Sequence, residues 1–411
     1  MLMLKLAFRN ILRNKRRTIL TMLSMFGGYT LLVLSISVQN GSYDQVIKFF
    51  TKDSTGHAQI VDQTYLDRPT LYKSVPATDQ FYQQLMALDS VTHAVPRIVS
   101  GALAYGEAKS FPVQVLGVDV EKEASTSFLT EKINQGRYFS ANPNNEGYYE
   151  VMVGGAVARQ LSVSVGDELI LISQGSDGSL ANDLYQIVGL VGATDGADAR
   201  NVYLPLAAAQ DFYVMQDKAH YWAVLTYDFA DSDQLAQTLN TWLSNQPDTN
   251  LEAASWKVVS KEFYEAMTAD IEGGYISYYI IVILICIGVL NTVLMSVLER
   301  TGEFGVLKAI GTSPKRIFSL IVLETLMLAV FSCVAGFIVS LPINYYLAKV
   351  GITLPDPVEF SGITMSHMQG LWNISVFTDP ALIIIGSAAF ISLFPARRAA
   401  KIVPVEAMRS L

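Results

Sequence analysis

Four stretches of about twenty mostly apolar residues constrain this chain most. They run roughly from Thr18 to Val38, Tyr275 to Leu298, Ile317 to Leu341 and Ile374 to Phe394. A bilayer core of about 30 Å needs about 20 helical residues to cross it. Lipid offers no partner to an exposed peptide group, so such spans must be helices. The fourth is interrupted near its start by Asp379 and Pro380. Only 16% of the 411 residues are charged, against about 25% in soluble domains, which fits a membrane protein and excludes a disordered or collagen-like chain. The net charge of −8 speaks against nucleic acid as a partner.

Sorting the charges by segment gives an orientation. Residues 1–17 hold six bases and no acid; 299–316 and 395–411 hold four bases each, against two acids and one. The stretch 40–274 holds 14 bases and 30 acids, a net of −16. Short basic segments stay in the cytoplasm. The expected organisation is therefore a cytoplasmic amphipathic helix (1–17), a first span (18–38), an extracytoplasmic α+β domain with helical stalks (39–274), a second span (275–298), a cytoplasmic loop (299–316), a third span (317–341), an extracytoplasmic loop (342–373), a fourth span (374–394) and a cytoplasmic tail (395–411). The fold class is thus four transmembrane α-helices with a large α+β domain inserted between helices 1 and 2. The first span is too long for the apolar core of a secretory leader and no small-x-small site follows it, so a retained anchor is expected.

In the first segment, Leu4, Phe8, Ile11 and Leu12 share one helical face and Lys5, Arg9, Arg13 and Arg16 the other. Such a helix lies against membrane lipids, although its charges are explained equally well as a topology signal. The spacing of Val46, Phe49 and Phe50 continues the first helix outwards, to an end near Ser54-Thr55-Gly56. Strands are expected at 57–61, 111–118, 168–172, 186–191 and 223–227, and a strand, Gly-Gly turn and short helix over 151–161. Residues 81–88 read as helix and 174–182 as a flexible loop. Phe263, Met267 and Ile271 begin a helix leading into the second span, with Gly273-Gly274 as a hinge.

Cys286 and Cys333 fall in spans, so no disulfide holds the outer domain. His57, His93, His220 and His367 show no metal-ligand spacing. Small residues repeat every fourth position at Gly288, Thr292 and Ser296 and at Ser332, Gly336 and Ser340, a pattern of close helix packing or of a mobile gate. Glu324 is the one acid well inside a span; it is a functional residue by default, or else reaches the interface or bonds a neighbouring helix. No G-x-x-x-x-G-K-[ST] loop, G-x-S-x-G elbow or H-E-x-x-H pair occurs in the sequence, so no catalytic residue, metal or cofactor is assigned to this chain.

The most specific stretch is Glu299-Arg300-Thr301-Gly302-Glu303-Phe304-Gly305-Val306-Leu307-Lys308-Ala309-Ile310-Gly311, followed by Thr312-Ser313-Pro314. It reads as a short amphipathic helix with Phe304, Leu307 and Ile310 or Gly311 on one side and charged ends, then a glycine stop and a Ser-Pro restart. It resembles the coupling segment of the MacB/FtsX/LolC family of ABC-transporter membrane subunits. The closing run Pro395-Ala396-Arg397-Arg398-Ala399-Ala400 with Pro404, Glu406, Ala407, Met408 and Arg409 is similar to that family's C-terminus. Leu6-Ala7-Phe8-Arg9-Asn10-Ile11-Leu12-Arg13-Asn14 is similar to its start, and Val153-Gly154-Gly155-Ala156 with Val165-Gly166-Asp167 to its outer domain.

The resemblance implies a dimeric permease of the bacterial inner membrane, with both termini cytoplasmic and the second permease a copy or a paralogue. A separate cytoplasmic ABC ATPase dimer would hold ATP and magnesium and drive the outer domain by mechanotransmission. The coupling residues carried over are Glu299, Arg300, Glu303, Gly305, Leu307, Lys308 and Gly311. Phe304 and Leu307 are expected in an ATPase groove with Glu303 and Lys308 at its rim. The lipoprotein-release branch is the nearest neighbour, with a periplasmic carrier as a further partner. An opening lined near Met25, Phe26, Ile283 and Ile287 would admit acyl chains. Two other readings stay open: a peptide or small-molecule efflux subunit with an adaptor, and a signalling scaffold controlling a cell-wall enzyme.

Overall fold

A computed structural model describes residues 2–13, 15–106, 109–246, 250–360 and 363–403. Its contacts separate two compact units: residues 1–44, 267–353 and 367–411 form one, and 45–266 with 354–366 the other. Pro404, Glu406, Ala407, Met408 and Arg409 of the closing motif, and Asn14 of the opening one, lie outside the described residues.

The chain begins with α1 (Leu2–Arg13) and α2 (Lys15–Phe50). α2 runs beyond the apolar stretch, and a π-helical turn, Thr51–Thr55, closes it. Gly56 follows with φ +73°. A Cβ there would sit 2.8 Å from the backbone nitrogen of Val224, so this left-handed turn against a strand needs glycine.

The outer unit is built from β1 (Ala58–Asp62), β2 (Val75–Pro76), α3 (Asp79–Met86), β3 (His93–Tyr105), β4 (Ser110–Val118), α4 (Val120–Thr126), β5 (Ile133–Gly136), β6 (Glu150–Gly154), α5 (Gly155–Leu161), β7 (Glu168–Gln174), β8 (Leu180–Val191), β9 (Asn201–Pro205), α6 (Leu206–Tyr213), β10 (Lys218–Ala219), β11 (Tyr221–Leu225), α7 (Ser232–Leu243), β12 (Leu251–Ser255) and α8 (Trp256–Val259). Ten strands form one mixed sheet in the order β12-β1-β11-β3-β4-β9-β6-β8-β5, with β7 pairing β3 and β8. The neighbours β4–β9 and β6–β8 are parallel and the other described pairs antiparallel. Apolar faces of α3, α6 and α7 cover the sheet around Trp222, Leu85, Ile98 and Val224, all fully buried. The expected loop at 174–182 is instead the tip of a β7–β8 hairpin. Its turn closes by Gly175 N–H to Ser179 O at 2.9 Å, and Asp177 Oδ1 accepts from Ser179 N–H at 2.9 Å. A side chain that bonds its own backbone two residues on makes such a turn from residues that otherwise read as unstructured.

α9 (Lys261–Glu299), α10 (Thr301–Ala309), α11 (Pro314–Lys349) and α12 (Ser375–Ala400) complete the chain, with a hairpin of β13 (Ile352–Phe360) and β14 (Ile363–Met368) between the last two. α2 with its π-turn, α9, α11 and α12 are each long and apolar enough to cross a membrane. The expected loop at 342–373 is therefore partly helix and partly hairpin. α11 passes through Pro342, whose lost N–H bond reads in the sequence as an end. α9 passes unbroken through the expected hinge. Gly274 is small there because the Gln39 side chain packs across it, and Gln39 in turn accepts from Tyr278.

In the membrane unit, Ile285, Val289, Val293 and Val297 recur every four residues on α9. They meet Met25, Tyr29, Leu32 and Val33 of α2, Ile317 and Ile321 of α11, and Ile384 and Ala388 of α12. A Cβ on Gly336 would strike the Tyr29 ring, and one on Gly288 would rest 3.8 Å from Ser24. Ser332 and Ser340 are fully buried. The stripe of Ser332, Gly336 and Ser340 thus serves close packing between helices.

Candidate functional site

The site lies where α9, α10, α11 and α1 meet, all within the membrane unit. α9 ends at Glu299, and Arg300 makes the corner into α10 with its carbonyl accepting from Phe304 N–H at 3.0 Å. α10 stops in a Schellman arrangement. Thr312 N–H reaches Leu307 O at 2.9 Å, Gly311 N–H reaches Lys308 O at 3.0 Å, and Gly311 has φ +94°. Ser313 and Pro314 then start α11.

Arg300 is buried at this corner and serves two carboxylates. Its Nη1 donates to Glu324 at 3.0 and 3.3 Å, and its Nε donates to Glu303 at 2.9 Å. Its guanidinium also lies 5.1 Å over the Phe304 ring. Asn10 of α1 donates to Glu324 at 2.5 Å, and Arg13 pairs with Glu303. Three segments distant in sequence are joined by one charged network. Burial would raise the Glu303 carboxyl, but Arg300 and then Arg13 outweigh it and hold it below the ordinary value. Beside Glu324, Thr18, Thr21, Thr292, Ser296 and Thr325 help line a cavity of about 30 Å³, room for about one water. Breaking one side of a buried pair leaves an uncompensated charge, so these residues hold one arrangement strongly.

α10 presents two faces. Phe304 and Gly305 are buried, and Leu307 packs half-buried on the same core as Ile317, Ala396 and Ala399. Lys308 Nζ donates to the carbonyls of Ala400 and Ile402 at 3.0 and 2.7 Å, tying α10 to the end of α12. The opposite face carries Glu303 and Val306, and Ile310, just past the helix end, is 74% exposed rather than sharing the side of Phe304 and Leu307 as expected. This corrects the expectation that Phe304 and Leu307 enter an ATPase groove: positions 300, 304 and 307 share the helix face that turns into the chain's own core. Glu299 is exposed at the end of α9.

Two further expectations change. The residues expected to line an opening do not come together. Met25 is fully buried inside the bundle and Phe26 half-buried, while Ile283 and Ile287 are more than half exposed on an outward face of α9. Four-residue steps from Ile285, not from Ile283, fall on the buried face. On α1, Ala7 and Ile11 are buried, while Phe8 stays 46% exposed and meets Phe331 edge-on. The side chains of Leu4 and Leu12 lie outside those described. α1 thus packs on α11, and Asn10, a member of the opening motif with no role of its own in the sequence, faces Glu324. One amide amid the Ile11 face was the available signal.

The chain matches the MacB-like periplasmic core domain over residues 18–241 and the FtsX-like permease C-terminal domain over residues 275–404. It belongs to this family of ABC transporter permeases: four membrane helices with a MacB-like extracytoplasmic domain between the first and second. More particularly, it is a permease of the LolC/MacB/FtsX type and an inner-membrane protein. It is 21% identical to the lipoprotein-releasing system transmembrane protein LolC of Neisseria meningitidis, over 97% of this chain and 95% of that one. It is 23% identical to the lipoprotein-releasing system transmembrane protein LolE of Haemophilus influenzae, over 93% of this chain and 92% of that one. It is 27% identical to the pyoverdine export ATP-binding/permease protein PvdT of Pseudomonas syringae, over 98% of this chain and 58% of that one. ABC permease subunits are not themselves catalytic, and the permease family implies an ATPase partner.

Proposed function

We propose that this chain couples ATP hydrolysis in a separate cytoplasmic ATPase dimer to movement of its outer domain, and so extracts lipoproteins or a similar amphiphile from the inner membrane. In this reading both termini and α10 face the cytoplasm, ATP and magnesium belong to the ATPase, and a second permease copy or paralogue completes the membrane unit. A periplasmic carrier receives the substrate. The observation that carries the reading is the two-sided α10. Val306 and Ile310 are free to enter a partner's groove, while Arg300 ties the helix to α11, Glu303 ties it to α1 and Lys308 to the end of α12. A push on the exposed face would reach the spans without slack. The basic inner segments support the orientation, and full-length similarity to LolC and LolE supports the substrate class.

The test is proteoliposomes holding the chain with the ATPase that copurifies with it, loaded with an acylated protein or its unacylated form. ATP should release only the acylated form to a soluble acceptor. Similarity to a pyoverdine exporter supports a second reading, export of small molecules; ATP-driven efflux of a small amphiphile with no lipoprotein release would favour it. Absence of any ATP-driven release would overturn both.

A further inference from the structure

The π-turn that closes α2 is held by an ionic cluster inside the outer unit. Its two central residues are gripped separately. The Asp53 carboxylate accepts from Lys132 Nζ, which also reaches Asp198 at 2.5 Å. The Ser54 carbonyl accepts from the Arg97 guanidinium, and Arg97 forms a fork with Glu123 at 3.0 and 2.6 Å. The Lys132 side chain is 1% exposed, and those of Arg97 and Glu123 3% each. One turn of helix thereby reaches β3, α4, the segment before β5 and the segment before β9. Just before the turn, Phe49 packs edge-on against Phe128 at 5.2 Å, and Lys52 lies 4.4 Å over the same ring.

Stability alone does not call for this arrangement. Buried ion pairs add little over well-packed apolar side chains, but a pair broken on one side is strongly destabilising. Lys132 bonds both Asp53 and Asp198, and Arg97 is forked to Glu123. Burial pushes the Asp53 carboxyl up, Lys132 pulls it down and Asp198 adds to the rise. Asp53 is thus the member whose removal leaves both bases paired, and a cavity of about 270 Å³ beside it lets water fill the gap.

We infer that Asp53 and Arg97 are positioning residues that fasten the end of the first long helix to the floor of the outer domain, so that a displacement of the helix end reaches the sheet undiminished. This rests on the permease reading above. The test uses Asp53→Ala in the full chain assembled with its ATPase in proteoliposomes. Amide exchange across 51–56 and 128–133 should rise about tenfold or more, as expected when a charge-assisted bond is lost from an opening equilibrium, while exchange in β11 stays unchanged. ATP hydrolysis should stay within about twofold of the parent while ATP-driven release falls about tenfold. The exchanged pair Asp53→Lys with Lys132→Asp should recover much of the release, a rescue that a purely space-filling role would not give.

Unchanged exchange in Asp53→Ala, or release undiminished relative to hydrolysis, overturns the inference. If the parent shows no ATP-driven release, the functional reading fails by itself, and exchange alone then decides whether Asp53 fastens the turn. Should Asp53→Ala not assemble, Asp53→Asn is read in the same way.

Discussion

Arg300 and Glu324 lie 24 positions apart in the chain, yet Nη1 of the one donates to both carboxylate oxygens of the other. The same guanidinium donates through Nε to Glu303. A lysine has one point of charge and no fork, so it cannot hold both acids in this geometry. Arg300→Lys should therefore lower ATP-driven release about tenfold while keeping the net charge, and Glu324→Gln should do the same in milder form. Hydrolysis and release measured together on each variant check this; a lysine variant equal to the parent would show that the fork carries nothing.

Phe304 separates folding from docking. Its ring is fully buried among helices of its own chain, so Phe304→Ala should destabilise the membrane unit by about 3–5 kcal/mol. Thermal unfolding of the full chain in detergent measures that loss. An unchanged midpoint would place Phe304 outside the core.

Two glycines should respond oppositely to the same methyl group. Tyr29 donates its hydroxyl to the Phe377 carbonyl at 3.1 Å, so its ring has little freedom to leave the Cβ of a Gly336→Ala variant. That change should cost about 1–3 kcal/mol. Gly273 has nothing within 4 Å of a Cβ and sits inside continuous α9, so Gly273→Ala should stabilise the helix by up to about 1 kcal/mol. Midpoints from the same unfolding experiment decide both.

Acid should weaken the outer unit through two histidines. Burial lowers His57 and His220 each to about 4, and each ring accepts a backbone N–H, from Thr226 and Val99 respectively. Between about pH 6.5 and 4 the unfolded chain binds protons at these sites and the folded one does not. Stability is thus present above pH 6.5 and is lost as pH falls toward 4, by up to about 3 kcal/mol per histidine. Asp53, held above its ordinary value, acts in the opposite sense. The comparison is therefore residue by residue: His220→Gln should flatten the unfolding midpoint against pH across this range. A profile identical to the parent's would mean that His220 does not bear the effect.

The four spans and the α10 motif were legible because each rests on local chemistry. Apolar length marks a span, and Gly311 with Ser313-Pro314 marks a stop and a restart. Which side of α10 faces inward was not legible. The repeat places Phe304 and Leu307 on one face, and an apolar face suits a partner's groove as well as the chain's own core. Only α11 and α12, distant in sequence, decide between them. The partners of Glu324 were hidden for the same reason, since Asn10 lies 314 positions away. In the outer domain, β9 was missed because a strand buried along its whole length loses the alternation that reveals a strand, and the buried first half of β3 hides it in the same way. The ionic grip on Asp53 leaves no periodic trace at all, because its members come from four separate segments.

The coupling role of α10 is tested most directly at Ile310, which is 74% exposed and makes no part of the core. The measurement is ATP-stimulated turnover and ATPase retention of the complex carrying Ile310→Asp, with thermal unfolding as the control. A charge in a buried anchor position should cost at least about 2 kcal/mol of binding, so the ATPase should be lost on purification and turnover should fall to that of the isolated ATPase, with the unfolding midpoint unchanged. A complex that retains its ATPase and turns over like the parent would contradict docking on this face of α10.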